Sequence, residues 1–123
     1  MQKLMVVDDS NIIRNKIKRS YSQDQFKLVG TASSGVEAVR LFSKLMPDAV
    51  TMDLTMPGMD GIACIERITD INPAVRILVV SALSDKATGI EALEKGAQGF
   101  LLKPFTEEQL EEALNELMEN DDE

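Results

Sequence analysis

Short apolar runs, each stopped abruptly by a polar residue, alternate along this chain with segments whose apolar residues recur every three or four positions. Lys3-Leu4-Met5-Val6-Val7 is halted by Asp8-Asp9-Ser10, and Ile13, Ile17 and Tyr21 then follow at helical spacing. A β-leaning stretch, 26–32, precedes Gly35 and a helical pattern through Val39, Phe42 and Met46 that Pro47 ends, because the residue before proline avoids the helical region. Residues 49–53 form a third apolar run, and Pro57, Gly58 and Gly61 mark a loop. Ile62, Ile65 and Ile68 carry a third helix closed by Asn72-Pro73. Residues 75–80 form a fourth strand, residues 86–95 a fourth helix with Gly96 as its stop, and residues 99–102 a fifth strand. Gly89 costs that fourth helix about 1 kcal/mol relative to Ala. Thr106 with Gln109 opens a capping box, followed by the stripe Leu110, Ala113, Leu114, Leu117 and Met118.

Strands buried on both faces read as continuous apolar runs rather than alternating ones, and strands alternating with helices call for a parallel sheet covered on both sides. The expected fold is α/β: a five-stranded parallel sheet in a doubly wound (βα)5 arrangement with right-handed crossovers. The 123 residues suit one domain, expected to span 1–118, with 119–123 as an acidic C-terminal end.

Composition narrows the chemistry. There is no His, which removes imidazole catalysis, His-ligated metals and a Ser-His-Asp triad. The single Cys64 forms no internal disulfide and no Cys-cluster zinc site, which fits a reducing cytoplasm. No apolar run reaches the length of a membrane span and no secretory signal is indicated, so membrane insertion is not expected. The net charge of −8 is uneven: residues 106–123 hold nine acids and no base, whereas residues 1–105 carry 12 acids against 13 bases. Without clustered Lys and Arg on a surface, nucleic acid is not an expected direct partner.

In an open parallel sheet the strand ends lie on one edge, where such folds bind ligands. The polar residues that stop the apolar runs are Asp8-Asp9, Asp53, Ser81 and Lys103. Steps of 44, 28 and 22 residues separate Asp9, Asp53, Ser81 and Lys103, and the fold collapses them into one pocket. Each alone has an ordinary reading. An Asp after a strand is usually a cap or turn former, and one of Asp8 and Asp9 is expected to cap the helix that begins near Asn11. A Ser at a strand end is common, and a lone Lys usually snorkels. Together they make a specific set. Three carboxylates at close range resist joint ionisation, and a hard divalent cation such as Mg²⁺ relieves this. One carboxylate can then attack phosphorus to give an aspartyl phosphate, with an ammonium and a hydroxyl meeting the charge on the phosphoryl oxygens.

The stretches Met5-Val6-Val7-Asp8-Asp9-Ser10, residues 52–61 from Met52-Asp53 to Asp60-Gly61, Val80-Ser81-Ala82 and Lys103-Pro104-Phe105 stand in order and at family spacing. On them the chain resembles the receiver domain of bacterial two-component response regulators from Lys3 to about Leu117, and in length the stand-alone chemotaxis CheY type. The resemblance implies the flavodoxin-like, CheY-like strand order 2-1-3-4-5. It implies that Asp53 is phosphorylated by a sensor histidine kinase of the CheA kind. Asp8, Asp9, Asp53 and the Thr55 backbone carbonyl are then the Mg²⁺ ligands. Lys103 pairs with the phosphoryl group or, without it, with Asp53; Ser81 and Phe100 form the switch; Thr55 and Leu83 tune hydrolysis. The Lys103-Pro104 bond is a candidate for the cis form. A core role for Phe100 is equally compatible with the sequence. Output is expected through a protein partner on the face of the fourth helix, fifth strand and fifth helix, acidic enough to favour a basic partner. The basic first helix, with Arg14, Lys16, Lys18 and Arg19, is expected to dock beside the acidic fifth by charge.

Alternatives are a phosphorelay intermediate, a receiver cut from a longer regulator and, further off, a Mg²⁺-dependent aspartyl-phosphate phosphatase. The last would want a second Asp where Thr55 stands. A flavodoxin-like electron carrier would place a phosphate against Asp8-Asp9, and a dinucleotide-binding domain needs a Gly-x-Gly-x-x-Gly motif that is absent.

Overall fold

The computed structural model describes residues 1–21, 23–54, 56, 58–82 and 86–119, with the Lys86 side chain excepted. Five strands alternate with five helices: β1 (Gln2–Val7), α1 (Asn11–Ser20), β2 (Phe26–Ala32), α2 (Gly35–Leu45), β3 (Ala49–Met52), α3 (Gly61–Ile71), β4 (Arg76–Ser81), α4 (Lys86–Lys95), β5 (Gly99–Leu102) and α5 (Glu107–Glu119). All strand pairs are parallel and the order is β2-β1-β3-β4-β5, as expected.

The alternation of side chains along each strand divides the core in two. Met5, Val7, Val50, Met52, Ile77 and Val79 face Phe42 of α2 and Ile65 and Ile68 of α3. Leu4, Val6, Ala49, Leu78 and Val80 face Ile17 of α1 and Leu110, Leu114 and Leu117 of α5. Both faces are covered, so the central strands carry no polar face; β1 reads as four consecutive buried residues.

Helix ends follow local chemistry, with two departures from expectation. Ser10, not Asp8 or Asp9, caps α1: its Oγ accepts from the Ile13 amide at 3.3 Å. The hydroxyl sits directly before the helix, whereas Asp8 turns back and its Oδ1 accepts from the Ser10 amide at 3.0 Å. Met46, counted above as helical, ends α2 in the left-handed region at φ 45° and donates its amide to the Phe42 carbonyl. The capping box of α5 forms in both directions, Gln109 N to Thr106 Oγ1 at 3.0 Å and Thr106 N to Gln109 Oε1 at 2.9 Å.

Candidate functional site

Asp8, Asp53, Ser81 and Lys103 are rooted in backbone that belongs to the sheet or continues its ladder. The Asp8 amide donates to the Ala32 carbonyl at 3.1 Å, the Asp53 amide to Val7 at 2.9 Å and the Lys103 amide to Ser81 at 2.9 Å. The ladder thus extends one residue past the strands and delivers these residues to a common edge. The start of α3 closes against that edge. The Gly61 amide donates to the Leu54 carbonyl at 3.0 Å, and a Cβ at Gly61 would lie 2.4 Å from the Asp53 carbonyl oxygen. Only glycine allows this approach, which presses the α3 turn onto the backbone of Asp53.

Asp8, Asp9 and Asp53 each bring one carboxylate oxygen to within 4.8 Å of the others. Asp8 and Asp53 are 1% and 4% exposed, and Asp9 is exposed at the rim. Lys103 Nζ stands 2.9 Å from Asp8 Oδ2 and 3.7 Å from Asp53 Oδ1. The lysine therefore spans two carboxylates, and its shorter contact is to Asp8 rather than to Asp53, the partner implied above. Ser81 closes β4 fully buried, its carbonyl tied to Lys103. Phe100 is half-buried in β5 and packs on the first core cluster, beside Gly89 of α4. Thr55 and Leu83 lie outside the described residues, so neither the Thr55 carbonyl nor the hydrolysis-tuning pair is placed. The Lys103-Pro104 bond is cis.

The donor set can be tested against a metal. Asp8 Oδ2 is buried and accepts no hydrogen bond, and its contact with Lys103 is ionic. Three carboxylates face one ammonium, every donor is a hard oxygen, and the rim residue Asp9 leaves the group open to solvent. These are the properties that suit Mg²⁺, which retains waters and uses few carboxylates. Soft-metal chemistry has no place here: the single thiol, Cys64, lies on the buried face of α3 with its Sγ 3.7 Å from the Gly35 carbonyl, and burial pushes the pKa of the thiol up to about 12.

Two residues assigned above to charge docking do something else. Arg14 Nη1 donates to the Asp8 carbonyl at 2.6 Å, and Lys16 Nζ donates to the Phe105 carbonyl. Among the described residues no ion pair joins α1 to α5; the packing of Ile17 on Leu110 and Leu114 holds the two helices together. A basic helix next to an acidic one was the visible signal. The acceptors are backbone carbonyls, which composition does not reveal.

Known proteins share this fold. A family model described as response regulator receiver domain matches residues 4–115. The chemotaxis protein CheY of Thermotoga maritima is 40% identical over 116 residues, covering 94% of this chain and 97% of that protein. A chain of the CheX–CheY–BeF3–Mg²⁺ complex from Borrelia burgdorferi superposes with a TM-score of 0.90 at 29% identity, covering 95% of this chain and 89% of the other. The response regulator domain of Thermotoga maritima CheB gives 0.88 at 36% identity, covering 100% and 99%.

Proposed function

Since the chain belongs to the response regulator receiver domain family, we propose that its acidic pocket accepts a phosphoryl group on Asp53 from the phosphohistidine of a CheA-like sensor kinase. The protein is a phosphoacceptor of two-component signalling, homologous to CheY over nearly its whole length, and a role in chemotaxis follows from that homology. Receiver domains are signalling proteins rather than turnover enzymes, and they bind Mg²⁺ through an acidic pocket.

The observation that carries the site reading is the convergence of three carboxylates and one ammonium at the sheet edge. An oxygen of Asp53 attacks phosphorus; an O–P bond forms, the N–P bond breaks, and its electron pair stays on the imidazole nitrogen. The ammonium of Lys103, already 3.7 Å from Asp53, swings from Asp8 onto the incoming phosphoryl oxygens. Ser81 donates its hydroxyl to another of them, and Phe100 turns inward behind it. Asp8, Asp9 and Asp53 would hold Mg²⁺, which would supply further positive charge against those oxygens. Water later cleaves the O–P bond, releasing inorganic phosphate and restoring the carboxylate.

Output passes through the face of α4, β5 and α5. Ile90, Leu93 and Leu102 are exposed there, and Phe100, Pro104, Glu112 and Glu116 line one shallow groove. Such a surface fits a basic protein segment with an apolar anchor, held in a salt-sensitive way. Among the described residues no helix is long and apolar enough to cross a membrane, and a cytoplasmic location is part of the same reading.

Incubation with acetyl phosphate and Mg²⁺ tests the reading by intact mass. One added phosphoryl group is expected in the native protein and none in Asp53→Asn; an adduct that survives in the variant moves the acceptor elsewhere. Mg²⁺ affinity is expected to collapse when Asp8 and Asp9 both become Asn.

A further inference from the structure

Phosphoryl acceptance uses Lys103 but does not explain the cations of α1 that lie just behind it. Lys16 is half-buried, and its ammonium does not meet a carboxylate among the described residues. It donates instead to the backbone carbonyl of Phe105, 89 residues away, and stands 4.5 Å from the centroid of the Phe105 ring. Phe105 is 3% exposed and belongs to the core cluster that holds α1 and α5 to the sheet. The short link between Lys103 and α5 is therefore held twice, by core packing of the Phe105 ring and by the bond from α1 to its carbonyl.

Packing alone does not call for a lysine at this position. An apolar side chain of similar length would cover the Phe105 ring without the cost of drawing an ammonium partly out of water. The ammonium adds what an apolar group cannot: a directional bond to a carbonyl, which orients the backbone two residues beyond Lys103, together with a cation–ring contact. The counterpart bond lies at the other side of the pocket, where Arg14 of the same helix donates to the carbonyl of Asp8 at 2.6 Å. One helix thus grips the backbone behind both members of the Lys103–Asp8 pair, which meet at 2.9 Å.

We propose that Lys16 is a positioning residue for Lys103: by holding the backbone and ring of Phe105 it sets the reach of the Lys103 ammonium across Asp8 and Asp53. The proposal rests on the reading of Asp53 as phosphoacceptor. It has a consequence in two opposite directions. A well-placed Lys103 competes with a cation for the Asp8 carboxylate and at the same time waits beside Asp53 for the phosphoryl group. Loosening it should favour cation binding and slow acceptance.

The test compares Lys16→Met, which keeps the length of the stem but has no donor, with Lys16→Arg, which keeps both the donor and the cation over the ring. Both are made in the native chain and in Lys103→Ala. Mg²⁺ is titrated without phosphodonor and followed by amide NMR shifts, and acceptance from acetyl phosphate is timed separately. Lys16→Met is expected to bind Mg²⁺ about threefold to fivefold more tightly, the size of one ion-pair arm released. Acceptance should slow about tenfold through misplacement of the ammonium. Lys16→Arg should stay near the native protein in both, and in Lys103→Ala the Met substitution should change neither. General loosening of the fold would instead weaken Mg²⁺ binding and acceptance together. That outcome, an unchanged Mg²⁺ affinity, or a full effect of Lys16→Met without Lys103 would overturn the proposal. If Lys16→Met fails to fold, Lys16→Leu, which also lacks a donor, is read in the same way. An adduct persisting in Asp53→Asn would overturn the acceptor reading instead, and the Mg²⁺ titration, which involves no phosphodonor, separates the two.

Discussion

Helices α1 and α4 each run for ten residues and each leaves the sheet edge beside the acidic pocket, α1 behind Asp8 and Asp9, α4 behind Ser81. Among the described residues their anchoring differs. A serine hydroxyl caps α1, Ile17 is wholly buried under it, and two of its cations reach backbone carbonyls in the neighbouring loops. In α4 the one wholly buried apolar residue is Ala92, while Ile90 and Leu93 are 55% and 48% exposed. A glycine stands in its middle, opposite the Phe100 ring, and besides the packing of Ala92 one tie to α3 is an exposed ion pair, Lys95 to Glu66 at 3.4 Å. Few buried apolar contacts mean a low free energy of local opening. The pocket is thus bounded by one wall that fixes the carboxylates and another, next to Ser81 and Phe100, that is inexpensive to shift. On the proposed reading, a surface that responds to a charge at Asp53 needs both.

The sharpest way to break this contrast is to cut into the fixed wall. Ile17→Ala should cost about 2–5 kcal/mol in urea unfolding, as a fully buried side chain with a residual cavity. Removing the cap with Ser10→Ala should cost about 1 kcal/mol, with the phosphoryl adduct at Asp53 retained. On the other wall the sign reverses. Gly89→Ala should stabilise by about 0.5–1 kcal/mol, because it relieves the helix-propensity penalty and its Cβ would meet Phe100 Cε2 at an ordinary 3.4 Å. Slower hydrogen exchange across α4 would report it. Smallest of all, Leu93→Ala should change stability by less than about 0.5 kcal/mol. A loss comparable with that of Ile17→Ala would show that α4 is as firmly held as α1.

Much of the architecture was legible in the chain because the signals are local. The apolar runs and the residues that stop them mark strand ends, and 26–32, 86–95 and 99–102 match β2, α4 and β5 residue for residue. The convergence of Asp8, Asp9, Asp53 and Lys103 follows from topology, since parallel strands deliver their ends to one edge. What escaped depends on distances between elements. That Lys103 reaches Asp8 more closely than Asp53 is a matter of side-chain reach across β1, β3 and β5. That Lys16 finds the Phe105 carbonyl requires knowing that α1 lies against a loop 89 residues away. Charge counting pointed to the right helix and the wrong acceptor. The cap of α1 was misread for a simpler reason: three adjacent residues, Asp8, Asp9 and Ser10, are all good caps, and only the one next to the first helical residue can serve.

The pairing of Lys103 with Asp8 joins the last strand of the chain to the first. β1 and β3 bring the carboxylates together as soon as they pair, but the ammonium that meets them arrives only with β5. A partial sheet lacking β5 therefore holds three carboxylates against one another without that relief, and their repulsion raises its free energy. Like charges kept for chemistry thus act against incompletely folded forms as well, and they couple the two ends of the chain into one cooperative transition.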